Sequence, residues 1–205
     1  MSNRLRPELP RLPKHMARLP IDKRGYPVPW FAARLNGEPD FRLFDPSKLA
    51  RASKERRCWV CGEPLSAFNY FVISILDAVN RVSMEPPMHE DCAVFSAQAC
   101  PFLTRAEMHR RTAGLPEDTY EVAGVVLDRN PGVILVWATR AYSVIPVAKG
   151  LMFKIGEPVN CRWFTEGRNA TRDDLRESIE ELTHEQNFSP DQLRWLMRLF
   201  ESAQS

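Results

Sequence analysis

Two short pairs of metal-ligand residues constrain this chain more than anything else in it. They are Cys58-Trp59-Val60-Cys61-Gly62 and His89-Glu90-Asp91-Cys92. Each pair has two residues between its ligands, a spacing at which one tight turn aims both side chains at one ion. Thiolate and imidazole are the donors zinc prefers, and four of them close a tetrahedral structural site. Glycine after the second cysteine permits the left-handed turn of a zinc knuckle. A helix opening at His89 places its positive end beside Cys92, which favours the thiolate. The 27 residues between Cys61 and His89 leave room for a β-hairpin, and are too many for the compact finger that reads a DNA major groove. A treble-clef-like zinc finger follows, with Zn2+ held by Cys58, Cys61, His89 and Cys92. Cys100 is the competing ligand, but a helix puts it about 12 Å from Cys92 along its axis. Cys100 and Cys161 read instead as small buried hydrophobes.

Charge is uneven although the net charge is only +2. Residues 1–24 carry seven Lys/Arg against two acids, and 51–57 carry four against one, whereas 171–205 carry eight acids against four Arg. A basic front suits a polar partner or simple solvation. No apolar run reaches the roughly 18–20 residues that span a bilayer, and no apolar stretch follows the basic N-terminus as in a signal peptide. A cytoplasmic, reducing location is expected, where paired cysteines read as a metal site rather than as disulfides.

Along the chain, Pro7, Pro10, Pro13, Pro20, Pro27 and Pro29 oppose both helix and sheet, so a basic Pro-rich arm is expected over 1–24. The arm can dock a partner, lie on its own domain or stay disordered. Arg24-Gly25-Tyr26-Pro27 reads as a tight turn, and Asn36-Gly37 as a hairpin turn between strands at 28–32 and 41–44. The zinc-finger region, 25–113, should pair strands at 68–75 and 79–84 and place a helix from His89 to Ala99. Thr104 with Glu107 reads as a capping box for a further helix to Ala113. The third region, 114–205, is β-rich. A hairpin of 122–127 with 133–139 and strands at 142–147, 151–155 and 159–164 should form one antiparallel sheet, because their connections are too short for parallel crossovers. Two C-terminal helices, capped at Thr171 with Asp174 and at Ser189 with Gln192, should cover it through Leu175, Ile179, Leu193, Leu196 and Phe200. The fold class is α+β, the finger embedded with the sheet as one domain.

Cys58 to Gly62, Ala78-Val79-Asn80-Arg81-Val82-Ser83, Pro86-Pro87-Met88-His89-Glu90-Asp91-Cys92-Ala93 and Ala99-Cys100-Pro101-Phe102-Leu103 resemble an uncharacterised protein family of actinobacteria, other bacteria and their phages. The resemblance extends to Gly25-Tyr26-Pro27-Val28-Pro29-Trp30 and Gly167-Arg168-Asn169-Ala170-Thr171-Arg172, and so covers most of the chain. It implies a zinc site in a co-inherited architecture and brings no activity with it.

No catalytic set stands out. HNH-type nucleases use a treble clef but need a general-base histidine beside the finger. Of His15, His89, His109 and His184, His89 is a zinc ligand, His15 lies in the arm and His184 in an acidic helix. His109, in Met108-His109-Arg110-Arg111, reads as decoration of a basic face. A zinc hydrolase needs an open coordination position, which four protein ligands do not leave. A deaminase needs His-x-Glu with a downstream Pro-Cys-x-x-Cys, and here the cysteine pair stands upstream. A non-enzymatic zinc-finger protein that binds nucleic acid is therefore expected. Arg51, Lys54, Arg56, Arg57, Arg105, Arg110 and Arg111 would supply phosphate contacts, and Trp59, Phe68 and Tyr70 stacking surfaces. The alternative is an adaptor or regulator acting through protein contacts, in a phage or its host; an HNH-like nuclease ranks third. Oligomeric state is open.

Overall fold

Proline directs the first thirty residues, but it does not free them from the domain. The structure is a computed structural model, and it describes residues 4–105, 130, 132–148, 150–185 and 188–203. After Pro13 the chain makes one 3-10 turn, Lys14–Met16, that sinks Met16 to 2% exposure. It then folds back on itself through an antiparallel bridge between Ile21 and Pro27. The Asp22 carboxylate closes that turn by accepting from the backbone N–H groups of Arg24 and Tyr26, each at 2.9 Å. Gly25 takes the positive φ the turn requires. The arm thus lies on its own domain.

The Asn36-Gly37 turn has φ of 53° and 83°, which suits a tight hairpin between β1 (Ala32–Leu35) and β2 (Glu38–Phe44). The first strand starts four residues later than expected, after the backbone N–H of Trp30 has bonded the carbonyl of Val60. Helix α1 (Pro46–Glu55) follows, where no element is predicted above. Its signals are present in the sequence: an Asp45 cap that accepts from the Ser47 N–H at 2.9 Å, proline in the first turn, and buried Leu49 and Ala52 at helical spacing. The helix ends at Arg56, whose left-handed φ of 51° turns the chain into the knuckle.

The remaining elements are β3 (Asn69–Ser74), the short α2 (Ile75–Asn80), β4 (Val82–Ser83), α3 (Glu90–Ala99) and α4 (Pro101–Thr104). After them come β5 (Ile134–Thr139), β6 (Tyr142–Val147), β7 (Gly150–Ile155), β8 (Pro158–Thr165), β9 (Arg168–Asn169), α5 (Arg172–Glu185) and α6 (Pro190–Ser202). All pairings among the described residues are antiparallel. Two expectations need correction. The hairpin of 68–84 does not form. Ser74 and Asp77 cap α2 reciprocally, the chain turns, and β4 pairs with β7 rather than with β3. β5 lies between β3 and β8; its expected hairpin partner, residues 122–127, lies outside those described. The described strands form two larger sheets, in the orders β3-β5-β8-β9 and β4-β7-β6, rather than one. At Thr104, α4 ends in an extended Arg105; the expected continuation to Ala113 lies outside the described residues.

The register explains the layers. Side chains alternate across a strand, so Phe71, Trp137 and Cys161, opposite one another, share one face with Ile73, Leu135 and Trp163. On this face Phe71 meets Tyr142 and Phe153 of the second sheet, at ring separations of 5.7 and 6.4 Å. Trp137 and Trp163 meet Trp195 and Phe200 of α6 at 6.1 and 5.4 Å. Leu175, Leu196 and Phe200 are buried, as their helical spacing predicts, with Ile179 and Leu193 half-buried. Each large apolar side chain so covered contributes about 1.5–3 kcal/mol. The opposite face carries Tyr70, Val72, Val136 and Arg162, and α3 lies across it against β3 and β5. That contact fixes the position of the finger helix. Among the described residues no helix is long and apolar enough to cross a membrane.

Candidate metal centre

The knuckle is built by backbone bonds around Cys58. Its N–H donates to the Glu63 carbonyl at 2.8 Å and its carbonyl accepts from Gly62 at 2.9 Å, while Arg57 and Pro64 form an antiparallel bridge. Gly62 has φ of 76°, and a Cβ there would fall 2.6 Å from Trp30 Cγ, so both conformation and space demand glycine. The N–H groups of Cys61 and His89 point at Cys58 Sγ, at 3.5 and 3.4 Å. On the other side His89 is the N-terminal cap of α3 and Cys92 lies in its first turn. Helix and knuckle together bring the ligand atoms of Cys58, Cys61, His89 and Cys92 within 4.8 Å of one another, all buried. Bonds of about 2.0–2.3 Å in a tetrahedron separate ligands by about 3.3–3.8 Å, so the cluster fits one ion.

His89 is already oriented for coordination. With its proton on Nε2, the ring donates to the Pro64 carbonyl at 2.9 Å, and Nδ1 faces the cluster 3.3 Å from Cys61 Sγ. Such a bond from the remote nitrogen fixes the tautomer and the ring plane of a ligating histidine. Without an ion the cluster shares protons. Burial pushes the Cys58 thiol up, but hydrogen bonds from Cys61, Cys92 and His89 outweigh it and hold Cys58 well below the ordinary thiol range. Bonding to Cys58 raises Cys61 and Cys92 in turn. The imidazolium of His89 is pushed up to about 10 by its bonds to Cys58 and Cys61. A divalent cation held by these four residues would take the place of those shared protons.

A neighbour that the sequence did not reveal completes the centre. His15, expected as a plain arm residue, stacks on His89 at 4.1 Å and 15° between ring planes, and its Nδ1 lies 2.8 Å from Asp91 Oδ2. His15, His89 and Asp91 also fall within ligand distance of one another. Both nitrogens of His89 are committed elsewhere, however, so this trio is an arm contact. Nothing in sequence links residue 15 to 89. Cys100 caps the end of α3 outside the four-residue cluster, and Cys161 is buried in the sheet, where burial pushes its thiol up to about 12.

The predicted cations that the structure describes are partly engaged. Arg51 pairs with Glu55 at 3.4 Å and lies over Trp30; Lys54 is exposed. Arg56 donates to Asn69 Oδ1 at 3.2 Å, and Arg57 to Glu55 at 2.5 Å and to the Gly62 carbonyl at 2.9 Å, so both brace the knuckle. Arg105 is exposed, while Arg110, Arg111 and His109 lie outside the described residues. Trp59 is core rather than a stacking surface: it is 3% exposed and stacked on Phe31 at 4.9 Å. Phe68 and Tyr70 remain half-exposed, and Arg140 sits 4.8 Å over the Phe68 ring. They share a groove with Arg11 and Lys14 of the arm and Arg162 of β8. The basic arm was visible in the sequence, but Arg140 and Arg162 carried no signal. No family model, no curated protein and no solved structure matches this chain.

Proposed function

We propose that the Cys3His cluster holds one structural Zn2+, and that the protein is a non-enzymatic nucleic-acid-binding protein. A buried set of three thiolates and one oriented imidazole suits zinc above the hard cations, and four protein ligands leave no open position for catalysis. A knuckle followed by a helix that presents the other ligand pair supports a treble-clef-like centre, with β3 drawn off to the central sheet. The ion would supply folding energy and no reaction step. The observation that carries the binding reading is the gathering of Arg11, Lys14, Arg140 and Arg162 around half-exposed Phe68 and Tyr70, beside that centre. Cations for phosphate and rings for bases are the two parts of a general nucleic-acid surface.

Metal analysis of the purified chain should give one zinc per protein. Mobility shifts in about 50 mM salt should show binding that weakens steeply by 200 mM. No binding to DNA or RNA under these conditions, with the protein folded and zinc-loaded, favours the adaptor reading. That reading draws support from the internal engagement of Arg56 and Arg57. Metal-dependent cleavage of the probe, lost in His109→Ala, would overturn the non-enzymatic assignment in favour of an HNH-like nuclease.

A further inference from the structure

The groove between the arm and the finger helix has a volume of about 1020 Å³. Its walls are the arm from Pro10 to Ala17, the exposed side of α3, and the Phe68–Tyr70 end of β3, with Arg162 beneath. Its apolar lining is Phe68, Tyr70, Val94 and the arm residues Leu12 and Pro13. Its cations are Arg11, Lys14 and Arg162, all exposed and without an ion pair among the described residues; Arg162 lies 5.3 Å over the Phe164 ring, and Arg140 adjoins through the Phe68 ring. Arg56 borders the same end through the Ser66 carbonyl and Asn69. Two acids face the groove, Glu90 and Asp91, and both are occupied. Glu90 accepts from the Tyr70 hydroxyl at 3.0 Å, and Asp91 holds His15 at 2.8 Å. Hydrogen bonding does not cancel a carboxylate's charge, but Arg11, Lys14 and Arg162 outnumber these two acids and Arg140 adjoins them, so the balance of charge favours an anionic ligand.

We infer that this groove is the binding site for a single-stranded stretch of nucleic acid, a reading that rests on the nucleic-acid assignment above. In a duplex the bases are stacked on one another and offer no face to a ring. In a single strand each base has a face that can lie on an aromatic side chain, and the backbone can follow a line of cations. Phe68 offers such a ring at the mouth of the groove, and Arg140 already covers part of it as a second stacking plane. Arg11 and Lys14 on one wall and Arg162 on the floor give phosphates a track past it. DNA and RNA present the same phosphates and base faces, so both are probes.

The test uses the full zinc-loaded chain and fluorescence anisotropy with labelled 12-mers: single-stranded DNA, single-stranded RNA and duplex DNA, in about 50 mM salt. Single strands should bind more tightly than duplex. Phe68→Ala should weaken single-strand binding at least about fivefold, and Phe68→Leu, which keeps apolar bulk but no ring, should do the same. Lys14→Ala with Arg162→Ala should flatten the single-strand salt slope by about 1.4 units. Arg176→Ala, on α5, should bind as the parent does. Zinc content and melting temperature, read for each variant, separate lost binding from lost fold. If single strands bind but the groove variants match the parent, or if duplex binds as well as single strand, this inference fails and the nucleic-acid reading stands. If no 12-mer binds, that reading fails and takes the groove site with it.

Discussion

At the scale of single residues, the metal centre is where chemistry and backbone demand the same thing. Replacing Cys61 with Ser removes one thiolate from a buried set whose other members stay. Structural zinc supplies roughly 10 kcal/mol or more in small modules, so most of that coupling should go. The variant should purify with well under one equivalent of zinc and melt at least about 10 °C lower; zinc content and melting equal to the parent would remove Cys61 from the ligand set. Gly62→Ala tests the backbone instead of the donors. The left-handed φ costs an alanine about 1–2 kcal/mol, and the contact with Trp30 adds overpacking of about 1–3 kcal/mol. Urea unfolding of the zinc-loaded variant should register a loss of about 2–5 kcal/mol, and a loss under about 0.5 kcal/mol would mean the knuckle turn is not conformationally selected. The donor set and the left-handed turn were legible in sequence, because ligand type, spacing and the following glycine are local; the contact of Trp30 with Gly62 was not. The stacking of His15 on His89 was not, because it depends on where the arm lands after a path of Pro-fixed turns.

Among the elements, α5 and α6 matched expectation through their local end signals, α1 and α2 carried such signals unread, and the partner expected for β3 was the wrong one. Thr171 and Asp174 form the predicted capping box of α5: the Asp174 carboxylate accepts from the Thr171 N–H at 2.7 Å, and the Thr171 hydroxyl accepts from the Asp174 N–H at 3.3 Å. Arg168 adds two more bonds to the same carboxylate, at 2.7 and 2.8 Å. Hydrogen bonds from Arg168 first, then from Thr171, hold Asp174 well below the usual carboxylate range. A depressed pKa in the folded state means stability that is present above the unfolded value, near 3.9, and lost as pH falls through the folded value. Asp174→Ala should therefore cost about 1 kcal/mol at pH 7, from the lost cap. The gap between parent and variant in urea midpoints should hold down to about pH 4 and narrow below it. A gap that widens in acid would reverse the assignment. The hairpin of 68–84 failed for the opposite reason. The apolar run before Ser74 reads as a strand, yet nothing local says which strand it will meet. Ser74 and Asp77 carry a capping box that turns the chain away, and β3 takes β5, some sixty residues later, as its neighbour. Pairing across such separation is decided by burial on both faces, which a linear pattern does not encode.

For the whole molecule the question is how far the metal centre and the sheet core depend on each other. The core has its own hydrophobic support: Phe71, Trp137, Phe153, Leu175 and Leu196 are fully buried, and none belongs to the knuckle. The arm has little support of its own. It reaches the domain through Met16, through His15 on His89, and through the turn that carries Trp30 against Gly62. A domain of ordinary stability has about 5–15 kcal/mol in hand, comparable with what one structural zinc supplies. Removing the ion should therefore release the arm and finger first, while the two sheets and α6 keep their packing. Limited trypsin digestion with and without a strong chelator reads this directly. Cleavage after Arg11, Lys14 and Arg18 should accelerate at least about tenfold on chelation, while a resistant fragment that contains β5 to α6 persists and keeps its near-ultraviolet tryptophan signal. Zinc added back should restore protection. Arm cleavage that is indifferent to the chelator would show that His15 and Met16 hold the arm without the ion. Loss of the tryptophan signal in step with arm cleavage would show instead that centre and core are one cooperative unit. In the expected case the groove formed by arm and α3 exists only in the metal-loaded protein, so chelation should abolish single-strand binding before it unfolds the sheet.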